Sequence, residues 1–291
     1  MEHSRRTPAR LRLTARDIRI LTDLARQRLL STGQLTHLHF PSEKAAQERL
    51  RRLAKHRLVV RVDVPVRRQS QGRSVWALGA RGARRLRACT ELTPKHLSPG
   101  EERSALFADH TLARNRVRVA LELLARQGEL ELLDWRQETP QVKSRVALRQ
   151  PGKRRRLVSV VPDGFFLIRH QDRSQAFVLE VDMGTVAASR MQRRYQAYFA
   201  WWKAGLHRKR FGPEPLRVLT VVNSQRRLKR LHELASEAPG SGKTRLFWFL
   251  NLEQVNLERP GDLLRARAAV SSRELDAPDA LFGPSQPPER S

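Results

Sequence analysis

The chain has 291 residues and carries 57 Lys and Arg against 29 Asp and Glu, a formal net charge of +28. That surplus points to a polyanionic partner, double-stranded DNA before a membrane surface, because neutralising phosphates releases counterions and gives affinity without a specific site. Its single cysteine, Cys89, excludes an internal disulfide and a thiolate-cluster metal site, and no stretch approaches the ~18 apolar residues of a membrane-spanning helix.

The N-terminus shows no signal-peptide core, and with one cysteine a reducing cytoplasm is the expected compartment. The length suits two ordinary domains. Nine of the basic residues are lysines and 48 are arginines, whose forked guanidinium suits phosphates and guanine edges. They are unevenly placed: residues 1–90 hold 22 Lys and Arg and only 6 Asp and Glu, so the front of the chain should grip the polyanion.

Residues 1–13 read as a basic tail. Thr14-Ala15-Arg16-Asp17 is a helix start, with Thr14 capping and Asp17 in the first turn. Ile18, Leu21, Leu24 and Ala25 follow at helical spacing, and Leu35 and Leu38 suggest a second short helix over 31–39. A third, from Ser42 to Arg57, has Ala46, Leu50 and Leu53 as its inner stripe; Lys44, Arg51 and Lys55 fall outside, with Gln47 nearby. Strands are expected at Leu58–Val66 and Ser74–Leu78 around a loop containing Arg67, Arg68 and Arg73. Three helices and a basic hairpin over 14–90 form the pattern of a winged helix-turn-helix, which places its third helix in the major groove and its wing along the backbone. Lys44, Gln47, Arg51 and Lys55 are the candidate groove contacts, and Arg67, Arg68 and Arg73 the candidate backbone contacts.

A short helix over Ala80–Leu86 precedes a linker, residues 91–100, with Pro94, Pro99 and Gly100. Glu101–Gln127 is a long helix with His110 and Asn115 as its unusual members, stopped by Gly128. A strand over Leu130–Trp135 and a basic loop or hairpin from Gln137 to Arg156 lead to two strands, Gly164–His170 and Gln175–Val181, joined by the turn Gln171–Ser174. Asp163 opens the first strand, while Glu180 and Asp182 close the second, two residues apart and therefore on one face. Carboxylates at the ends of apolar strands must reach solvent, pair with cations or bind a metal. Pairing with some of the many arginines is the plainer of these readings; two or three such oxygens around an open position also suit Mg²⁺.

The next helix, Ala187–Ala204, carries Met191, Tyr195, Tyr198, Phe199 and Trp202, an aromatic stripe that reads as core rather than a base-stacking platform. A strand over Leu216–Val222, a helix over Gln225–Ala238 and a strand over Leu246–Leu250 follow, and from Glu258 the composition is that of a loose tail. Gly242-Lys243-Thr244 resembles the end of a phosphate-binding loop. The position five residues before Gly242 is Glu237 rather than glycine, and a strand follows instead of a helix, so no nucleotide site is expected there.

The order helix, strand, acidic hairpin, helix, strand, helix, strand from residue 101 to 257 resembles the PD-(D/E)xK nuclease-like core. With the winged helix in front, residues 14–250 are similar to the plasmid replication-relaxation family of mobile elements. The resemblance is carried by the long helix with His110 and Asn115, Pro162-Asp163, the run Phe177–Thr185 (FVLEVDMGT), and the helix with Tyr195 and Tyr198. It implies an α/β (α+β) protein: a winged helix-turn-helix followed by a restriction-endonuclease-like mixed sheet flanked by helices. It also implies a DNA-binding role in replication, relaxation or mobilisation, with replication or mobilisation proteins as further partners.

In an active member of the nuclease class, Asp163 and Glu180 would hold Mg²⁺ or Mn²⁺, and a lysine two residues after the glutamate would help activate water. Asp182 stands in that place, and the following helix offers only Arg190, Arg193 and Arg194, which are too basic to accept a proton. Three functions therefore stay open: a DNA-binding protein with an inactive nuclease-like domain, a Mg²⁺-dependent nicking endonuclease with Asp163, Glu180 and Asp182 as ligands, and a transcriptional or copy-number regulator whose C-terminal domain forms a homodimer.

Overall fold

The structure, a computed structural model, describes residues 11–63, 74–88, 92, 105–137, 144–148, 156–212, 214–237, 244–265 and 267–268. The chain divides into two compact units, Met1–Leu112 and Ala113–Ser291. The loop carrying Arg67, Arg68 and Arg73, and the expected linker apart from Leu92, lie outside the described residues.

The first unit contains helices α1 (Ala15–Gln27), α2 (Thr32–His39), α3 (Glu43–Lys55) and α4 (Ala80–Arg87), with strands β1 (Leu30–Ser31), β2 (Val59–Val62) and β3 (Val75–Leu78). Each of the first three helices begins on a hydroxyl: Thr14, Ser31 and Ser42 accept from the backbone N–H of Asp17, Gln34 and Ala45. These bonds satisfy donors that a helix start otherwise leaves without partners. The strands form an antiparallel sheet in the order β1-β3-β2. Leu21, Leu24 and Ala25 of α1, Leu35 and Leu38 of α2, and Ala46, Leu50 and Leu53 of α3 are buried, so their spacing marks the inner faces; in α1, Ile20 is buried as well, whereas Ile18 is only half-buried.

The second unit is built on a six-stranded mixed sheet. Helix α5 (Ala105–Arg126) contributes its length from Ala113 onward to this unit, and Gly128, at φ 78, ends the turn that follows it. Next come β4 (Glu131–Gln137), the hairpin β5 (Ser144–Leu148) and β6 (Arg156–Val160), β7 (Gly164–His170) and β8 (Arg173–Asp182). Helices α6 (Ala188–Lys203) and α7 (Arg208–Phe211), β9 (Leu216–Val222), α8 (Gln225–Ser236), β10 (Phe247–Asn251) and β11 (Arg267–Ala268) complete it. The sheet order is β11-β10-β9-β8-β7-β4, with β8-β9 and β9-β10 parallel and the other pairs antiparallel.

Helices cover both faces of this sheet. On one, Ala176 and Val178 of β8 pack with Met191, Tyr195 and Tyr198 of α6 and Leu228 and Leu231 of α8. On the other, Phe177, Leu179 and Val181 meet Val117, Leu121 and Leu124 of α5. Burial on both sides explains why β8 reads as an almost unbroken apolar run.

Three expectations are corrected. The turn between β7 and β8 has two residues, Gln171 and Asp172, rather than four: His170 pairs with Arg173 across it, and Gln171 takes φ 52, as the twist of a tight hairpin requires. The segment after Glu258 is not wholly loose, because Pro260–Arg265 forms a 3-10 helix that buries Leu263 in the core on the α5 side of the sheet. In the aromatic stripe, the fully buried tryptophan of α6 is Trp201, whereas Trp202 and Phe199 are only partly buried.

Candidate functional site

In the first unit, the side of α3 opposite its buried stripe exposes Lys44, Arg51, Arg52 and Lys55, with Glu48 as its one exposed acid. Gln47 is half-buried; its amide nitrogen donates to Glu43 Oε1 at 3.1 Å, and its oxygen accepts from Arg51 Nη2 at 3.5 Å. A row Glu43–Gln47–Arg51 thus runs along one side of the helix at i,i+4 spacing. The exposed cations were legible from the sequence, but Arg49 was not singled out and has another task. Its Nε donates to Asp17 Oδ1 at 2.8 Å, its Nη2 also reaches that carboxylate, and a further bond runs from Nη2 to the Arg12 carbonyl at 3.2 Å.

Asp17 is fully buried. It also accepts from the Thr14 N–H at 2.7 Å and the Thr14 hydroxyl at 2.8 Å. Burial alone would raise its pKa, but the bonds from Arg49 and Thr14 together hold it below the ordinary carboxylate value. The start of α1 is thereby fastened to the middle of α3. A second tie joins His39, at the end of α2, to Asp23 of α1 at 2.7 Å.

In the second unit, the three acids lie on the face of the sheet that α6 and α8 cover. Glu180 and Asp182 continue the face of Ala176 and Val178, and Asp163 that of Phe165. Since Gly164 pairs with Leu179, the antiparallel register places Asp163 opposite Glu180, where cross-strand side chains are neighbours. Asp163 closes the ladder itself: its N–H donates to the Leu179 carbonyl at 2.9 Å and its Oδ2 accepts from the Val181 N–H at 2.7 Å.

Glu180 is 1% exposed. Its Oε2 accepts from Arg194 Nη1 at 2.6 Å and its Oε1 from the Tyr198 hydroxyl. The Glu180 charge, opposed by burial and seconded by Asp163, raises the Arg194 guanidinium pKa. Burial first, then Glu180, pushes the Tyr198 phenol far up, so it stays a protonated donor. Asp182, 2% exposed, accepts from the Gly184 N–H at 2.7 Å on Oδ1 and from Arg227 Nε at 2.9 Å and Nη2 at 2.6 Å on Oδ2. Arg227 Nη2 also donates to the Val186 carbonyl, just before α6.

The sequence marks Arg194 only as a substitute for lysine, and Arg227, 45 positions beyond Asp182, carries no local signal at all. Glu180 and Asp182 are thus each paired with an arginine. A Mg²⁺ or Mn²⁺ ion would need carboxylate oxygens that here carry bonds from Arg194, Tyr198, Arg227 and two backbone N–H groups. Among the described residues, no group of three or more His, Cys, Asp or Glu could hold a metal. The residues as arranged do not fit a metal centre.

Elsewhere in this unit, Asn115 is fully buried on α5 and accepts from Arg114 Nε at 3.4 Å, so it is part of the helix's packed polar interior. No helix among the described residues is long and apolar enough to cross a membrane.

A basic helical unit followed by a mixed sheet with arginine-paired acids defines an α/β protein of two parts. The chain belongs to the replication-relaxation family, whose sequence pattern matches residues 21–216. A comparison with curated proteins finds no match. Among solved structures, the crystal structure of protein VC1899 from Vibrio cholerae is similar at 12% identity and a TM-score of 0.28, covering 86% of this chain and 57% of that one. Likeness at that level carries no argument, and this chain spans little more than half of that protein.

Proposed function

We propose that this protein binds double-stranded DNA through its first unit, in the manner of a winged helix-turn-helix, and serves the replication or relaxation of a plasmid or other mobile element. Helix α3 lies in the major groove, with Lys44, Arg51 and Lys55 toward the DNA; the loop carrying Arg67, Arg68 and Arg73 follows the backbone. The observation that carries this reading is the cationic outer side of α3, set directly opposite its buried stripe and held in place by the Asp17–Arg49 pair. Family membership supports the replication context.

The second unit is, in this reading, a PD-(D/E)xK nuclease-like fold whose acids hold α6 and α8 to the sheet. It positions and does not cut. Fluorescence anisotropy with a labelled duplex tests the first half: Lys44→Glu, Arg51→Glu, Lys55→Glu in one chain should weaken binding at least about 100-fold, since each lost contact is worth ~1–3 kcal/mol. Unchanged affinity refutes the assignment. Supercoiled plasmid incubated with Mg²⁺ tests the second half. Conversion to open circle by the wild type, but not by Asp163→Ala, Glu180→Ala, would overturn it.

A further inference from the structure

Helix α4 has an outer face that nothing above uses. Its sequence is ARGARRLR, with no acid among its eight residues. Gly82, Ala83 and Leu86 are buried, while Arg81, Arg84, Arg85 and Arg87 are exposed. Like charges at i,i+3 and i,i+4 each cost a helix a few tenths of a kcal/mol, so this face is unfavourable on its own and suited to a polyanion.

Its position is fixed by close backbone packing. A Cβ on Gly82 would lie 2.1 Å from the Leu58 carbonyl oxygen, so only glycine admits this approach. The Gly79 N–H donates to the Leu58 carbonyl at 2.9 Å, and the Arg81 N–H to the Arg57 carbonyl at 3.1 Å. Arg57, at φ 57, is the left-handed residue that turns the chain out of α3. The start of α4 is therefore bonded to the end of α3, where Lys55 and Arg57 are exposed. These backbone bonds set the exposed Arg81, Arg84 and Arg85 of α4 next to the segment that carries the exposed Lys55 and Arg57.

We infer that α4 is a second DNA-contacting element, with Arg81, Arg84 and Arg85 neutralising backbone phosphates of the duplex beyond those reached from α3. The inference rests on the reading that the first unit binds duplex DNA. From Arg81 to Arg85 the helix rises roughly 6 Å, comparable to the axial rise of about two base-pair steps of the duplex. Such contacts fix position and add affinity without reading sequence.

The test is the salt dependence of duplex affinity for the full chain. Each neutralised phosphate contributes a slope of about −0.9 in log Kobs against log [salt], so Arg81→Gln, Arg84→Gln, Arg85→Gln should make the slope shallower by about 2–3. A parallel Arg→Lys triple variant should keep the wild-type slope. Hydroxyl-radical footprints should be shorter for the glutamine variant. If that variant melts early, Arg84→Gln alone, expected to change the slope by about 0.9, serves instead. An unchanged slope and footprint, while the α3 charge reversal still weakens binding, overturns the role of α4 alone and assigns its face to another acidic partner. Failure of the α3 reversal to weaken binding refutes the underlying reading, and the inference with it.

Discussion

Replacing Asp17 by alanine removes the tie that positions α3. The side chain is fully buried, and its partner Arg49 is 19% exposed, so the loss takes out two charge-assisted bonds to Arg49 and the reciprocal cap with Thr14. Breaking a buried pair by removing one partner costs ~3–5 kcal/mol. The remaining access of Arg49 to water, and its bond to the Arg12 carbonyl, place the cost near the lower end, about 3 kcal/mol. The pH dependence has a definite sign. Asp17 titrates in the folded protein below its ordinary value of 3.8, so its contribution is fully present above that value and is lost as pH falls through the folded-state pKa. The gap between wild type and Asp17→Ala should be constant from about pH 5 to pH 8 and close in stronger acid.

Hydrogen exchange of the α1 and α3 amides in the full chain reads this directly. A loss of 3 kcal/mol predicts exchange faster by about 10²-fold through local opening of the unit. Exchange on α1 and α3 unchanged at neutral pH, or a gap that persists undiminished in strong acid, would refute the reasoning.

Arg194→Ala should destabilise the second unit by about 2–3 kcal/mol, less than a fully buried pair because Arg194 is 40% exposed; a urea melt checks it, and Glu180→Gln made together with Arg194→Met should recover part of the loss. Tyr198→Phe, which removes a buried donor from Glu180, should cost about 1–3 kcal/mol in the same assay. Gly82→Ala should destabilise α4 by at least about 1–3 kcal/mol, since the added methyl meets backbone rather than a movable side chain; faster exchange confined to α4 and β2 is the expected signature.

The sequence revealed the elements better than their partners. Thr14 and Ser42 announce helix starts because a cap is a local interaction of three or four residues; Ser31 caps its helix in the same way in the structure, although only Leu35 and Leu38 mark that helix in the sequence. The stripe Ala46, Leu50, Leu53 likewise told the inner side of α3 from its outer side. The acids at the ends of β7 and β8 stand out as carboxylates in apolar strands, and the two-residue period places Glu180 and Asp182 on one face; that Asp163 shares it follows only from the β7–β8 register. What each acid binds was not legible. Arg227 reaches Asp182 only because α8 returns across the sheet, and with 48 arginines in the chain no composition or spacing singles one out. Asp17 reads as a first-turn acid behind the Thr14 cap, yet its second partner, Arg49, lies 32 positions away. Leu263 was missed because a single buried leucine in a polar, proline-containing segment has no periodicity to detect.

The central claim, that α3 enters the groove of a duplex, is tested most directly by crosslinking. With Cys89 replaced by serine, the chain has no other cysteine, so a photo-reactive label can be placed at Arg51→Cys on α3 or at Leu133→Cys on the exposed part of β4. The account predicts crosslinks from position 51 to bases of a bound duplex and none from position 133. Bound duplex that crosslinks from position 133 and never from position 51 would contradict it.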